Sequence, residues 1–322
     1  MRAPGKRLFR YGLQAVSALI PLALIAVVVF LTAYSWPAIR FNGFGFLFSD
    51  TWSLGNLYAN TVQVRGVQVP PGAHYGIWVF IVGTLASSAL ALLIAVPVGI
   101  GVALYLVEYA PHKLSGAFAQ VAELLAMVPS VVYGLWGLEV LAPLTLKYLA
   151  PALGAALPFV KFVSTPATSG FGLLTASLVL ALMVLPVISS TLVEALRRVP
   201  RELRESCFAL GATRAEVLRR AMLPAVRTPL IGAVILALGR ALGETMAVLM
   251  VSGGALNYLP GNLYSPITSM AAFIASQLDS ALQDTSGMAV RSLAEIALVL
   301  LIIAVIVNVI ARLLTRRVAV GA

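Results

Sequence analysis

Six runs of apolar residues, roughly 12–34, 76–106, 117–141, 170–193, 229–252 and 292–314, set the terms for any fold this chain adopts. Each is as long as the ~20 residues a helix needs to cross ~30 Å of hydrocarbon. A segment in hydrocarbon must close its own backbone hydrogen bonds, so each run is expected to be helical. Composition agrees. Of the 322 residues, 60% are hydrophobic and 11% charged, against about 45–50% and about 25% in soluble domains. The chain therefore reads as an all-α integral membrane protein with six transmembrane helices. The first run follows MRAPGKRLFR, as a secretory leader would. Its apolar stretch, 13–33, exceeds the ~7–15 residues of a cleavable core, so it is expected to remain as a helix.

The formal charge of +10 lies beside these runs, which marks it as a topology signal and not a nucleic-acid footprint. Arg2, Lys6, Arg7, Arg10, Lys113, the eight arginines of 194–228, and Arg312, Arg316 and Arg317 fall on one side of a six-span arrangement. Arg40, Arg65, Lys147 and Lys161 fall on the other. The positive-inside rule then places both termini in the cytoplasm. The expected organisation is an N-terminal transmembrane helix and first outer loop over 1–75, and a membrane core over 76–322 with a cytoplasmic loop at 194–228. The outer loops read as turns and plugs around the mouth of a bundle.

Catalytic signals are absent. The only Gly-Lys pair, Gly5-Lys6, lacks the flanking residues of a P-loop. His74 and His112 are the only histidines and form no metal motif, and the single Cys207 excludes an intrachain disulfide. The chain is not expected to be an enzyme or to hold a metal.

The segment EALRRVPRELRESCFALGATRAEVLRRAMLPAVRTP, from Glu194, carries the densest local signals. Pro200 suits a first helical turn, where its missing N–H is no loss. Leu203, Cys207 and Leu210 follow at i, i+4 and i+7 as one apolar stripe. Gly211 is placed to end this helix in the left-handed conformation. Thr213 and Glu216 spell a capping box for a second helix, expected to stop before Pro224. A helix, a sharp turn and a helix make an elbow that fits a groove on a partner. An amphipathic hairpin lying on anionic lipid is the alternative.

GRALGETM, at 239–246, places two full charges inside the fifth run. Arg240 and Glu244 together cost about 5–7 kcal/mol at a helix centre, and ten Leu, Ile and Val residues return about 3–6. The segment is near break-even in lipid and needs a protein or water environment on one face. Three arrangements satisfy this. Arg240 and Glu244 pair at i, i+4, or each pairs with another helix, or Arg240 faces a pathway and contacts an anion with its fork of donors. Elsewhere, Pro97 and Pro129 are expected to kink their spans. Gly99, Gly101 and Ala103 are expected to allow close helix packing, and Arg291 and Glu295 to form an i, i+4 pair.

The elbow resembles the coupling-loop signature of ABC importer permeases, E-A-A-x3-G-x9-I-x-L-P. Glu205, Ser206 and Cys207 fall on E-A-A, Gly211 on the glycine, and Leu223 and Pro224 on L-P. Ser206 and Cys207 replace alanines but stay small, and Ala221 replaces the isoleucine. GTLASSALALLIAVPVGIGVALYLVEYAP at 83–111, ELLAMVPSVVYGLWGL at 123–138 and ALGRALGETMAVLM at 237–250 are similar to the PstC-type permeases of bacterial phosphate ABC importers. The resemblance covers about 75–320. It implies a type I, MetI-like ABC importer permease fold in the bacterial inner membrane. It implies half of a pathway for inorganic phosphate, paired with a PstA-type permease, set above two PstB-type ATPase subunits and fed by a PstS-type phosphate-binding protein. ATP and magnesium would belong to the ATPase, so no cofactor is expected here. The elbow residues would couple to that ATPase, and Arg240 and Glu244 would stand where phosphate passes. Two alternatives remain at this level: sulfate or molybdate as cargo, or a membrane scaffold or sensor that recruits a cytoplasmic partner.

Overall fold

The computed structural model describes residues 4–320. Arg2 lies outside them, and the side chains of Lys6, Arg7, Arg10, Arg316 and Arg317, which entered the charge count, lie outside what is described. Four helices are long and apolar enough to cross a membrane singly: Val16–Asn42, Trp78–Glu108, Leu173–Arg197 and Met288–Leu313. Two bent helix pairs, Gly116–Met127 with Ser130–Ala156 at 95° and Arg214–Ala225 with Arg227–Leu242 at 68°, meet the same length and composition test only as pairs, so the candidate spans number four, or up to six if each pair is one span. The chain divides into two compact units.

The first unit joins residues up to Gly76 with Gln277–Ile302. Helix α1 (Pro4–Asn42) carries Pro21 and Pro37 within it. The segment after it adds two short strand pairs to an otherwise helical chain. Strand β1 (Trp52–Ser53) pairs antiparallel with β4 (His74–Tyr75), and β2 (Val62–Val64) pairs with β3 (Val67–Val69) in the register Val64↔Val67. Arg65 and Gly66 make the two-residue turn with φ of 51° and 78°, the paired left-handed backbone that a tight hairpin demands. Phe46, Trp52, Val69 and Tyr75 are buried beneath it, with Trp52 and Tyr75 edge to face at 4.9 Å. The expected Arg291–Glu295 pair does not form. Glu295 is buried and accepts from Asn42 Nδ2 at 2.8 Å. A buried carboxyl needs a fixed donor, and the amide at the end of α1 supplies one.

The second unit joins Ile77–Ser276 with the chain from Ile303. Helices α2 (Trp78–Glu108) and α5 (Leu173–Arg197) form its centre. They approach closely because Ala91, Ala95 and Ala103 are fully buried and because Gly99 leaves no room for a Cβ, which would stand 2.9 Å from Ile188 Cγ2. Small residues are how helices gain contact where the hydrophobic effect gives them none. Gly101, by contrast, faces open space and takes no part. The first N–H groups of α5 find carbonyls elsewhere in the chain: Gly172 on Val251, Leu173 on Ser265 and Leu174 on Leu263, each at 3.0 Å. The segment 251–265 thus closes one end of this helix and leaves none of these donors orphaned.

Helix α3 (His112–Met127) ends where α4 (Ser130–Ala156) begins. The single span expected at 117–141 is broken, not kinked. Val128 and Pro129 are extended, with ψ of 128° and 140°, because a residue before proline avoids the helical region. Inside α4 the backbone widens to π-helical turns at Gly137–Leu141 and Thr145–Leu149, two residues ahead of Pro143 and Pro151. The same happens at Leu218–Met222, two residues ahead of Pro224. A proline inside a helix lacks a donor and crowds the carbonyl four residues back. Widening the turn before it relieves that crowding without ending the helix.

Candidate pathway site and coupling elbow

The fifth span is the largest departure from expectation. A continuous helix over 229–252 would set Arg240 and Glu244 on one face. Instead α8 (Arg227–Leu242) stops, Gly243 to Thr245 are non-helical, and α9 (Met246–Val251) starts afresh. Ala233, Ala237 and Ala241 form the buried small-residue stripe of α8, and α9 continues the core with Ala247, Val248 and Val251. Glu244 lies in the break and Arg240 in the last turn of α8 before it, each half-buried.

Glu244 does not pair with Arg240. Its Oε1 accepts from the backbone N–H of Thr245 at 3.2 Å and of Ala247 at 3.3 Å. The carboxylate caps the N-terminus of α9, where orphan donors and the helix dipole both favour a negative group. Oε2 makes no hydrogen bond among the described residues. The intrasegment pair, one of the three arrangements open from sequence, is therefore not the one adopted. Arg240 has no ion-pair partner among the described residues.

The break packs on the other broken span. Gly134 of PSVVYG, in α4, lies under α9; a Cβ there would stand 2.7 Å from Met250 Sδ and 3.1 Å from Ala247 Cα. The neighbouring Tyr133 donates its hydroxyl to Leu125 O at 2.9 Å across the Val128–Pro129 bend. The helix of PSVVYG thus packs directly on the helix that follows RALGETM. Discontinuous helices meeting in this way put helix ends and irregular backbone where a pathway can use them.

The elbow folds as its spacing predicts. Helix α6 (Arg201–Ala209) ends with Gly211 at φ +81°. Gly211 N–H bonds to Phe208 O at 2.9 Å and Ala212 N–H to Cys207 O at 3.1 Å, a Schellman closure. Thr213 and Glu216 form the reciprocal capping box at the start of α7 (Arg214–Ala225). The Thr213 N–H and hydroxyl hold the Glu216 carboxyl below the usual range. That stabilisation is present above the ordinary carboxylate pKa and fades as pH falls through the lowered one.

Helix α7 does not stop before Pro224. It continues to Ala225, because the π-helical turn accommodates the proline. Val217, Leu218 and Met222 of α7 are buried with Ala103, Leu106, Leu192 and Leu196, at the ends of α2 and α5. Helix α6 has no buried residue. Of the expected stripe, Cys207 is half-buried, while Leu203 and Leu210 are exposed, Leu210 at 88%. Glu205 and Ser206 are exposed too, and Ser206 turns its hydroxyl back to Glu202 O at 2.7 Å. One contact escaped the sequence reading: Arg204 of α6 forms an ion pair with Glu108 at the end of α2. No spacing rule links residues so far apart. Only a lone acid closing an apolar span hinted at it.

Comparison with known proteins agrees with this architecture. The pattern of the binding-protein-dependent transport system inner membrane component matches residues 95–320. The chain belongs to this family and is a multi-pass inner-membrane protein. It is similar to phosphate transport system permease protein PstC 1 of Mycobacterium tuberculosis, 47% identical over 95% of this chain and 92% of that one. It is similar also to PstC of Pasteurella multocida, 39% identical over 97% and 92%, and of Mesorhizobium japonicum, 37% over 97% and 90%. Two solved structures share the fold. The inward-facing MetNI methionine ABC transporter aligns at TM-score 0.50 and 20% identity over 76% of this chain and 94% of that one. A bacterial transporter importing alginate aligns at TM-score 0.51 and 17% identity over 74% and 78%.

Proposed function

We propose that this chain is the permease subunit of an ATP-driven importer of inorganic phosphate. The observation that carries the reading is its 36–47% identity, over some 95% of its length, to proteins named phosphate transport permeases. In this reading a PstA-type permease completes the pathway, two PstB-type subunits hydrolyse ATP with magnesium, and a PstS-type protein delivers phosphate. Both termini and the elbow are cytoplasmic, and six crossings form the bundle.

Within the pathway Arg240 supplies attraction. Its planar fork suits an oxyanion and its charge is not consumed by Glu244. Glu244 keeps Oε1 on α9 and offers Oε2 to the pathway. Near neutral pH phosphate retains a proton and sulfate does not. A fixed carboxylate accepts a hydrogen bond from that proton and repels an oxyanion lacking one. The exposed residues of α6 (Glu205, Ser206 and Leu210 foremost) dock on the ATPase. The buried face of α7, with Leu223 and Pro224 at its end, passes the displacement to α2 and α5. Gly211 and Cys207 hold the angle between the two helices.

The test is uptake of labelled phosphate by proteoliposomes bearing the assembled complex, with sulfate and molybdate as competitors. Phosphate uptake that requires ATP and resists both competitors is expected, and Arg240→Ala is expected to assemble normally yet lose uptake. Preference for sulfate or molybdate would replace the cargo. Normal uptake by the Arg240 variant would remove that residue from the pathway.

A further inference from the structure

Within the first unit a cleft of about 330 Å³ opens between the end of α1 and the β-segment, lined among others by Asn42, Ser49, Arg65, His74 and Tyr75. Arg65 is its conspicuous member. It occupies the first position of a two-residue turn at φ +51°, the only non-glycine with positive φ among the described residues. Asn, Asp or Gly is the usual choice there, and a strained residue persists only where the surroundings hold it. One arm of its guanidinium donates to Phe41 O at 2.7 Å, a carbonyl of the last turn of α1. The rest of this exposed side chain makes no further hydrogen bond among the described residues.

His74 supplies the complementary group. Its Nδ1 lies 3.1 Å from Thr51 O. Thr51 Oγ1 lies at the same distance from Nδ1, and the tautomer that donates from Nδ1 to the Thr51 carbonyl leaves Nε2 as an acceptor. Two acids of the unit are committed within it, while Asp50, between Ser49 and Thr51, is exposed. Asp284 accepts from Ser286 N–H and Ala289 N–H, each at 2.9 Å, and Glu295 accepts from Asn42. The cleft thus carries a cationic donor fork and, in that tautomer, an imidazole acceptor among its lining residues.

We infer that this cleft binds an oxyanion that still carries a proton, with Arg65 donating to its charged oxygens and His74 Nε2 accepting from its hydroxyl. Under the phosphate reading above, on which the choice of ligand rests, it is a holding site on the outer face, apart from Arg240 in the chain. A carboxylate of a docking protein is a rival occupant. The concave lining and the acceptor edge of His74 favour a small protonated anion over it.

The experiment reads the site without transport. The assembled complex is treated with phenylglyoxal in the presence of inorganic phosphate, sulfate or chloride at matched ionic strength, and labelling of each arginine is followed by mass spectrometry. Phosphate is expected to protect Arg65 several-fold, sulfate and chloride much less, and exposed Arg40 is expected to show no selective protection. Equal protection of Arg40, or equal protection by sulfate, overturns the assignment. So does protection of Arg65 by the phosphate-free binding protein but not by phosphate itself.

Transport supplies the second arm. Arg65→Asn keeps a residue that tolerates the left-handed turn, so loss of the clasp to α1 and loss of the ligand are separable. It is expected to raise the KM for phosphate about tenfold, the loss of one charge-assisted contact, and to change KM more than maximal rate. An unchanged KM with a lowered melting temperature makes Arg65 a structural clasp and overturns the proposal. If Arg240→Ala proves fully active while Arg65 labelling behaves as stated, the pathway reading fails and the outer site stands.

Discussion

At the scale of single residues, Glu244 shows how a carboxyl in an apolar stretch can be satisfied by backbone donors without a counter-charge. Two backbone donors at the start of α9 hold its Oε1, so the break that looked costly also supplies the cap. Glu244→Gln keeps an oxygen for those donors and removes the charge. The variant is expected to assemble normally and to discriminate less between phosphate and sulfate. Competition uptake measures this, and unchanged discrimination would confine Glu244 to capping. Gly134 is the packing counterpart. A Cβ there meets Met250 Sδ at 2.7 Å and a backbone carbon at 3.1 Å. Only the sulfur is the mobile end of a side chain, so Gly134→Ala is expected to destabilise the site by about 1–3 kcal/mol. A lowered melting temperature in detergent, with reduced uptake, is the measurable result.

At the scale of elements, the elbow was legible in the sequence and the broken spans were not, and the reason is physical. Gly211, Thr213 and Glu216 act through bonds to residues three to five positions away, so spacing alone specifies them. The breaks at Val128–Pro129 and Gly243–Thr245 depend on what packs beside them. Apolar periodicity runs straight through both, and a proline in a membrane helix signals a kink as readily as an end. The π-helical turns ahead of Pro143, Pro151 and Pro224 likewise emerge only once neighbouring helices hold these segments helical. The charges of GRALGETM fall at a helix break, and the i, i+4 geometry expected of them assumed a continuous helix that is absent. For the elbow itself, nothing lies within 4 Å of a Cβ built on Gly211. Gly211→Val therefore costs backbone conformation alone, about 1–2 kcal/mol. That is enough to reopen the angle between α6 and α7 without unfolding the membrane core. Expected is an assembled complex whose ATP hydrolysis no longer drives phosphate uptake; coupled transport at the original rate would mean the angle is not what transmits.

At the scale of the whole molecule, the proposed function asks how a displacement of exposed α6 would reach the bundle. The second unit offers two routes from the elbow. One is the buried face of α7, where Val217, Leu218 and Met222 pack among Ala103, Leu106, Leu192 and Leu196. The other is the ion pair between Arg204 on α6 and Glu108 at the end of α2, whose side chains are 27% and 16% exposed. The first fixes α7 to the bundle and leaves α6 to pivot about Gly211. The second ties α6 directly to α2, the helix that carries Gly99 and its close contact with α5. Removing one partner of a fully buried pair costs about 3–5 kcal/mol, and partial exposure reduces this to about 1–3. Glu108→Gln and Arg204→Gln are therefore each expected to leave the fold intact while lowering phosphate transported per ATP hydrolysed. Exchanging the charges, Glu108→Arg with Arg204→Glu, is expected to restore much of that ratio, since the attraction survives the swap even where the geometry does not. A double-mutant cycle on the ratio distinguishes the routes. Coupling between the two positions assigns transmission to the ion pair, and strictly additive effects assign it to the buried face of α7 alone.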